Sequence, residues 1–331
     1  MTDKLNHKIF SINKQEFEPV ALEVFRFQYE NNLVYRQFVD ALQVDITRVE
    51  SMHAIPFLPI SFFKSHKVVS TEFVPDVVFE SSGTTLSSSS RHYVKRLSQY
   101  KESFLKTWKI FYGNPGQVCI IGLLPSYLER KNSSLTLMVA ELIALSQHPQ
   151  SGFYLYEYDK LYAVLQELGK KGQKTILIGV TFGLLDFAEQ YSLSLQHTVV
   201  METGGMKGRR DELTRQQVHG FLQERLGVAT VHSEYGMTEL LSQAYSKGEG
   251  IFHCPPWMRV LLREEDDPLK VQDASDVFAY SGVINIIDLA NIDSCAFIAT
   301  DDVGRLYADG SFEVLGRMDN SDIRGCSLMV V

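Results

Sequence analysis

Three patterns of apolar and polar positions follow one another along the chain. Over residues 1–75, Phe17, Leu22, Phe25 and Tyr29 recur at helical intervals, and Pro56 and Pro59 break the pattern before Ile60 and Phe62. This predicts a helical N-terminal lobe. Over 76–255, short apolar runs at 77–80, 118–123, 175–180 and 198–202 each precede an amphipathic stretch. Such alternation predicts an α/β core, a mainly parallel sheet with helices on both faces.

Two of the helices can be followed position by position. In the first, Asp159 can cap, Leu161, Val164, Leu165 and Leu168 fall on one face, and Gly169 can end the run. The second extends from Asp211 through Val218, Phe221 and Leu222 to Gly227. After Pro255 and Pro256 the helical spacing fades. Strands are predicted at 259–262, 283–288, 295–299, 306–307 and 312–315, joined by polar turns such as Ala308-Asp309-Gly310. Residues 256–331 are thus expected to form a smaller β-rich lobe.

Composition narrows the class. With 45% hydrophobic and 22% charged residues, the 331-residue chain can bury an ordinary core. A formal charge of -8 argues against nucleic acid and anionic membranes as partners. Cysteines at 119, 254, 295 and 326 form no C-x-x-C pair, which points to free thiols in a reducing, cytoplasmic setting. No basic leader with an apolar run opens the chain, and no stretch reaches the roughly 18 apolar residues of a membrane span. The histidines show no H-E-x-x-H, so no structural metal is expected, and G-x-S-x-G is absent.

Three segments can carry chemistry. Ser81-Ser82-Gly83-Thr84-Thr85, continuing into the serine run to Ser90, lies after a predicted strand and before a helix predicted over 93–112. Small hydroxyl residues around a glycine let N–H and O–H groups approach phosphate, and a following helix N-terminus favours anions. It lacks the G-K-[ST] ending of a Walker A loop, and a plain serine-rich surface loop is the alternative. Gly204-Gly205-Met206 again follows a strand and offers bare backbone for a flat ligand, or merely a tight turn. Glu234-Tyr235-Gly236-Met237-Thr238-Glu239 sets an aromatic ring, a hydroxyl and a carboxylate close together, suited to a base and a hard cation, or else caps a helix. All three are expected at the carboxyl ends of parallel strands, where open α/β sheets hold ligands.

Together with Thr300-Asp301-Asp302-Val303-Gly304-Arg305 and Gly316-Arg317-Met318-Asp319, these segments resemble, in order, the core motifs of the adenylate-forming superfamily of acyl-CoA synthetases and luciferase-like ligases. The short N-terminal lobe is similar to the phenylacetate-CoA ligase branch. The ending Asp322-Ile323-Arg324-Gly325-Cys326-Ser327-Leu328 resembles the acyl-protein synthetases of the bacterial bioluminescence fatty-acid reductase complex.

The resemblance implies ATP and Mg2+ as cofactors and a carboxylic, fatty, acid as substrate. By similarity Ser82, Gly83, Thr84 and Thr85 hold the ATP phosphates, and Gly204, Gly205 and Tyr235 flank adenine. Thr238 and Glu239 serve phosphate and Mg2+, while Asp302 binds ribose and Arg317 lies near ribose and phosphate. Asp319 matches a hinge. The resemblance further implies that the family's C-terminal lobe, with its catalytic lysine, is largely absent, and Leu86 stands where glycine is usual. Cys326 is then the acyl acceptor, passing the acyl group to an acyl-CoA reductase-like partner; its apolar surroundings also suit a small buried hydrophobe. Without the resemblance, Asp302 and Arg317 read as an exposed turn acid and a surface cation. An acyl- or aryl-CoA ligase, or a non-catalytic nucleotide- or acyl-binding subunit, are the competing expectations.

Overall fold

The computed structural model describes residues 5, 8–81, 89–125, 132–204, 213–265, 267, 269–272 and 279–318. The strands are β1 (Leu58–Pro59), β2 (Val77–Glu80), β3 (Arg91–Val94), β4 (Cys119–Leu123), β5 (Gly152–Phe153), β6 (Thr175–Val180), β7 (Thr198–Thr203), β8 (Val231–Tyr235), β9 (Ala244–Ser246), β10 (Phe252–His253), β11 (Met258–Arg263), β12 (Val271–Gln272), β13 (Ala279–Asp288), β14 (Phe297–Tyr307) and β15 (Phe312–Arg317). The helices used below are α1 (Phe17–Asn31), α2 (Leu97–Tyr112), α3 (Tyr158–Lys170) and α4 (Arg215–Leu226).

The α/β class predicted from the sequence holds. Thirteen strands form one sheet in the order β12-β11-β13-β14-β15-β10-β9-β8-β7-β6-β4-β5, with β1 paired to β14. The sheet is mixed rather than mainly parallel: β8, β7, β6, β4 and β5 run parallel, and the pairings from β8–β9 through to β12 are antiparallel. Parallel neighbours need a long crossover, and after α4 the described connections are too short to supply one. The β-rich end of the chain therefore continues the same sheet.

β4 and β6 are buried along their whole length because successive side chains enter separate cores. Ile120, Ile176 and Ile178 join Phe25, Phe104, Trp108 and Phe297 on one side. Ile121 and Leu177 join Leu165, Phe187 and Leu222 on the other. Strands covered on both faces give continuous apolar runs, which is why they were legible.

Four local expectations need correction. The helix predicted over 93–112 begins at Leu97; Arg91–Val94 is a strand, with His92 and Val94 buried at alternate positions. β3 pairs antiparallel with β2 in a separate two-stranded sheet, so the serine-rich run joins two strands of a hairpin and no helix N-terminus follows it. The strands expected at 295–299 and 306–307 are one, β14, carrying Thr300 to Arg305 inside the sheet. In α3, Leu161, Val164, Leu165 and Leu168 are buried as predicted, but Glu157 holds the N-cap position, Asp159 accepts from the Tyr191 hydroxyl at 2.6 Å, and Gly169 lies inside the helix. The helix expected from Asp211 starts at Arg215, where Thr214 and Gln217 form a capping box, and ends at Gly227 with φ +62°.

Candidate active site

The parallel strands β7 and β8 end side by side, with Glu202 paired to Ser233 and Thr203 to Glu234. Glu202 Oε1 accepts from Ser233 Oγ at 2.9 Å and faces His219 Nε2 at 3.6 Å and Arg215 Nε at 3.9 Å. The Thr181 hydroxyl lies 2.8 Å from Glu202 Oε2 and 2.5 Å from the Gly204 carbonyl oxygen, sharing its proton between them. Burial opposes ionisation of Glu202, but the bonds from His219 and Thr181 and the Arg215 charge outweigh it and hold the carboxyl below its usual range. Gly204 itself has φ +68°, a left-handed conformation that glycine adopts without a Cβ clash. Gly204, at the end of β7, is therefore anchored by a charged network beneath it.

At the end of β8 the Tyr235 ring packs edge-on against Phe252 and Phe312, with centroids 5.8 and 5.4 Å away. Its hydroxyl donates to Asp302 Oδ2 at 2.8 Å, and Arg317 Nε donates to Asp302 Oδ1 at 3.2 Å. Burial, reinforced by the Asp302 charge, pushes the Tyr235 phenol well above its ordinary value, so it remains a donor. Asp302 and Arg317 face each other across β14 and β15, beside a register shift at Val303/Gly304. Such irregularities re-aim side chains at the margins of sites. Asp302 is buried, so it is not the exposed turn acid; Arg317 is a surface cation by exposure, 73% for its side chain, yet is tied to Asp302.

No helix follows Tyr235; residues 236–243 run irregularly to β9, so Thr238 and Glu239 cap nothing. The segment is held instead by side chains from elsewhere. The Thr238 carbonyl accepts from His92 Nδ1 at 2.8 Å and the Glu239 carbonyl from Asn291 Nδ2 at 2.6 Å. The buried Asp288 carboxylate accepts from the Leu241 and Ser242 N–H groups at 2.8 and 2.9 Å and from the Ser242 hydroxyl at 2.6 Å. Glu239 is 5% exposed. Burial pushes its carboxyl up, countered by a hydrogen bond with Ser90 and the charges of Arg317 and Lys64. Glu234, next to Tyr235, is pushed up to about 7 by burial, against a hydrogen bond from Thr203 and with the Glu202 charge adding to the rise.

Tyr235, Glu239, Asp302 and Arg317 thus gather at one place, with Gly204 at the neighbouring strand end. Gly236 is exposed beside them, where a Cβ would press on the Glu234 carboxylate. Ser81 latches the hairpin, its hydroxyl accepting from the Ser90 N–H at 2.9 Å. Ser82, Gly83, Thr84, Thr85, Gly205, Met206 and Cys326 lie outside the described residues, as does Asp319. Of the other cysteines, burial raises Cys119 and pushes Cys254 and Cys295 up to about 12. Sequence reasoning missed His92, Asn291 and Asp288, and took Ser90 only as part of the serine run. Asp288 left a trace, an acid closing an apolar strand; His92 and Asn291 lie in no motif.

A large mixed sheet flanked by helices defines the class, the fold of adenylate-forming enzymes. The structure is similar to 2-hydroxyisobutyryl-CoA ligase in the postadenylation state in complex with R3-HIB-AMP, at 12% identity and TM-score 0.65, covering 95% of this chain and 70% of that one. It is similar to ATP-bound MatB from Rhodopseudomonas palustris, at 17% identity and TM-score 0.54, covering 75% and 50%. It also resembles the O-succinylbenzoate coenzyme A synthetase MenE from Bacillus subtilis in complex with ATP and magnesium ion, at 16% identity and TM-score 0.50, covering 74% and 51%. The chain spans about half the length of MatB and MenE. Residues 9–331 match the family described as acyl-protein synthetase, LuxE, and the chain belongs to that family. No curated protein sequence matches it. Among the described residues no helix is long and apolar enough to cross a membrane.

Proposed function

We propose that the protein joins a fatty acid to AMP, using ATP and Mg2+, and transfers the acyl group to Cys326 as a thioester, for onward delivery to an acyl-CoA reductase-like partner in the cytoplasm. The observation that carries the reading is the junction of Tyr235, Asp302 and Arg317 beside the buried Glu239. Family membership and the adenylate-forming fold support it.

The donor sets fit the expected groups. A carboxylate offers about four lone-pair positions. Asp302 uses one for Tyr235 and one for Arg317, leaving acceptors for a ribose diol. Glu239 is a buried carboxylate whose charge is met by the Ser90 hydroxyl and by Arg317 and Lys64, a setting that suits an oxygen-liganded hard cation completed by phosphate oxygens. Bound there, Mg2+ supplies neutralisation where two anions must meet. The substrate carboxylate attacks the α-phosphorus, its new P–O bond forming as the bond to the bridging oxygen breaks and pyrophosphate leaves. Arg317 holds the charge on the phosphate by attraction, and the Thr238 hydroxyl holds it by donation. In the second half-reaction the Cys326 sulfur, its proton released to solvent, attacks the acyl carbonyl, and the C–O bond to AMP breaks.

Fatty-acid-dependent exchange of labelled pyrophosphate into ATP tests the first step. Intact mass of wild type and Cys326→Ala after incubation with ATP, Mg2+ and acid tests the second, with a hydroxylamine-labile adduct expected in wild type alone. Absence of exchange with every acid offered would remove the enzymatic reading, and thioester formation that requires added coenzyme A would make the protein an acyl-CoA ligase.

A further inference from the structure

Strand β3 lies in the two-stranded sheet and the segment bearing Thr238 and Glu239 links β8 to β9 of the large one, so side chains have to set their relative placement. Ser90, His92 and Val94 are buried at 2%, 1% and 3% exposure, and alternate positions of an extended chain share one face. Two of these three meet consecutive residues of the other segment. Ser90 hydrogen-bonds with the Glu239 side chain, and His92 Nδ1 lies 2.8 Å from the Thr238 carbonyl oxygen. A carbonyl only accepts, so Nδ1 carries the proton. Burial pushes His92 down to about 4, outweighing the bonds to Thr238 and Asn291, so the ring is neutral at ordinary pH and its single N–H is committed to Thr238. Phe63 packs edge-on against the ring at 6.0 Å, and Asn291, within hydrogen-bonding reach of it, holds the Glu239 carbonyl.

We infer that His92 is a positioning residue: by fixing the Thr238 carbonyl it docks the β2–β3 hairpin against the Thr238–Glu239 segment and sets where the Thr238 hydroxyl and Glu239 carboxylate point. The inference deepens the reading under which the Thr238 hydroxyl meets phosphate of ATP and Glu239 the metal. Its signature is selectivity. ATP engages that end of the site through its phosphates and adenosine, which has none, does not, whereas Asp302 and Tyr235 serve both.

The test uses the full chain as wild type, His92→Phe and His92→Asn. Phenylalanine keeps a planar ring without a donor, and asparagine returns an N–H near the place of Nδ1. Titration calorimetry with Mg2+-ATP and with adenosine is expected to show roughly tenfold weaker ATP binding in His92→Phe, about 1.4 kcal/mol, with adenosine unchanged within about twofold. His92→Asn is expected to recover most of the loss. Equal weakening of both ligands, unchanged ATP binding, or a loss that asparagine does not relieve would overturn the inference. Amide exchange over 238–242 needs no nucleotide and separates the two ideas. Faster exchange confined to that segment in His92→Phe sustains the positioning role even if wild type binds no nucleotide, which would defeat only the proposed activity, and unchanged exchange there removes the role.

Discussion

Asp302 on β14 and Arg317 on β15 are direct cross-strand partners, and the Tyr235 hydroxyl closes on the same carboxylate from the end of β8. Three strands that are distant in sequence are thereby joined through one acid. Tyr235→Phe removes a hydrogen bond to a charged group, of the kind that contributes about 1.5–3 kcal/mol, while leaving the ring packed on Phe252 and Phe312. Weaker AMP binding, roughly tenfold by calorimetry, is expected, with a smaller fall in unfolding free energy.

Gly304 stands two residues from Asp302, where an added Cβ would lie 2.5 Å from the Glu313 carbonyl oxygen and 2.7 Å from Ile284 Cδ1. The backbone oxygen cannot swing aside as a side-chain tip can. Gly304→Ala is expected to part β14 from β15, destabilise by about 1–3 kcal/mol in urea unfolding, and loosen the Asp302–Arg317 contact. Nucleotide binding should weaken with it.

Glu234 makes a prediction about pH. Its folded value of about 7 lies above the ordinary 4.5, so between these limits the folded protein keeps a proton that the unfolded chain has lost. Stability from this group is complete below pH 4.5 and declines as pH rises through about 7. Glu234→Gln cannot titrate. Because solvent partly reaches the side chain, the variant is expected to gain about 2 kcal/mol relative to wild type between the two limits. Urea unfolding across that range measures it, and parallel curves would refute the assignment.

Asp288 is fully buried and accepts from three backbone N–H groups and one hydroxyl. Asp288→Ala strands those donors and is expected to cost about 3 kcal/mol or more, whereas Asp288→Asn, which keeps one oxygen, should cost less. Thermal unfolding of the two variants gives the comparison.

Much of this molecule could be foreseen because apolar periodicity reports burial directly. The strands 175–180 and 198–202 and the face of α3 were visible for that reason. Tyr235, Asp302, Arg317 and Glu239 were found through motif order, and the structure brings them together. Strand β3 escaped because four residues give too short a period to separate from the helix after it. The length of β14 escaped because Thr300, Asp301 and Asp302 look like a turn until Arg263, which donates to the Thr300 carbonyl at 2.7 Å, is placed behind them. His92 and Asn291 left no signal because their roles exist only through partners far away in sequence.

The first long helix reaches the site without touching it. Gln28 of α1, buried completely, donates to the carbonyls of Asn291, Ile292 and Ser294 and accepts from the Ala296 N–H at 2.9 Å. The loop it shapes is the one whose Asn291 secures Glu239. If the chain were divided after this helix, the two fragments would have to reassemble before the carboxylate found its aim, and amide protection over 238–242 would rise in step with docking of the smaller piece.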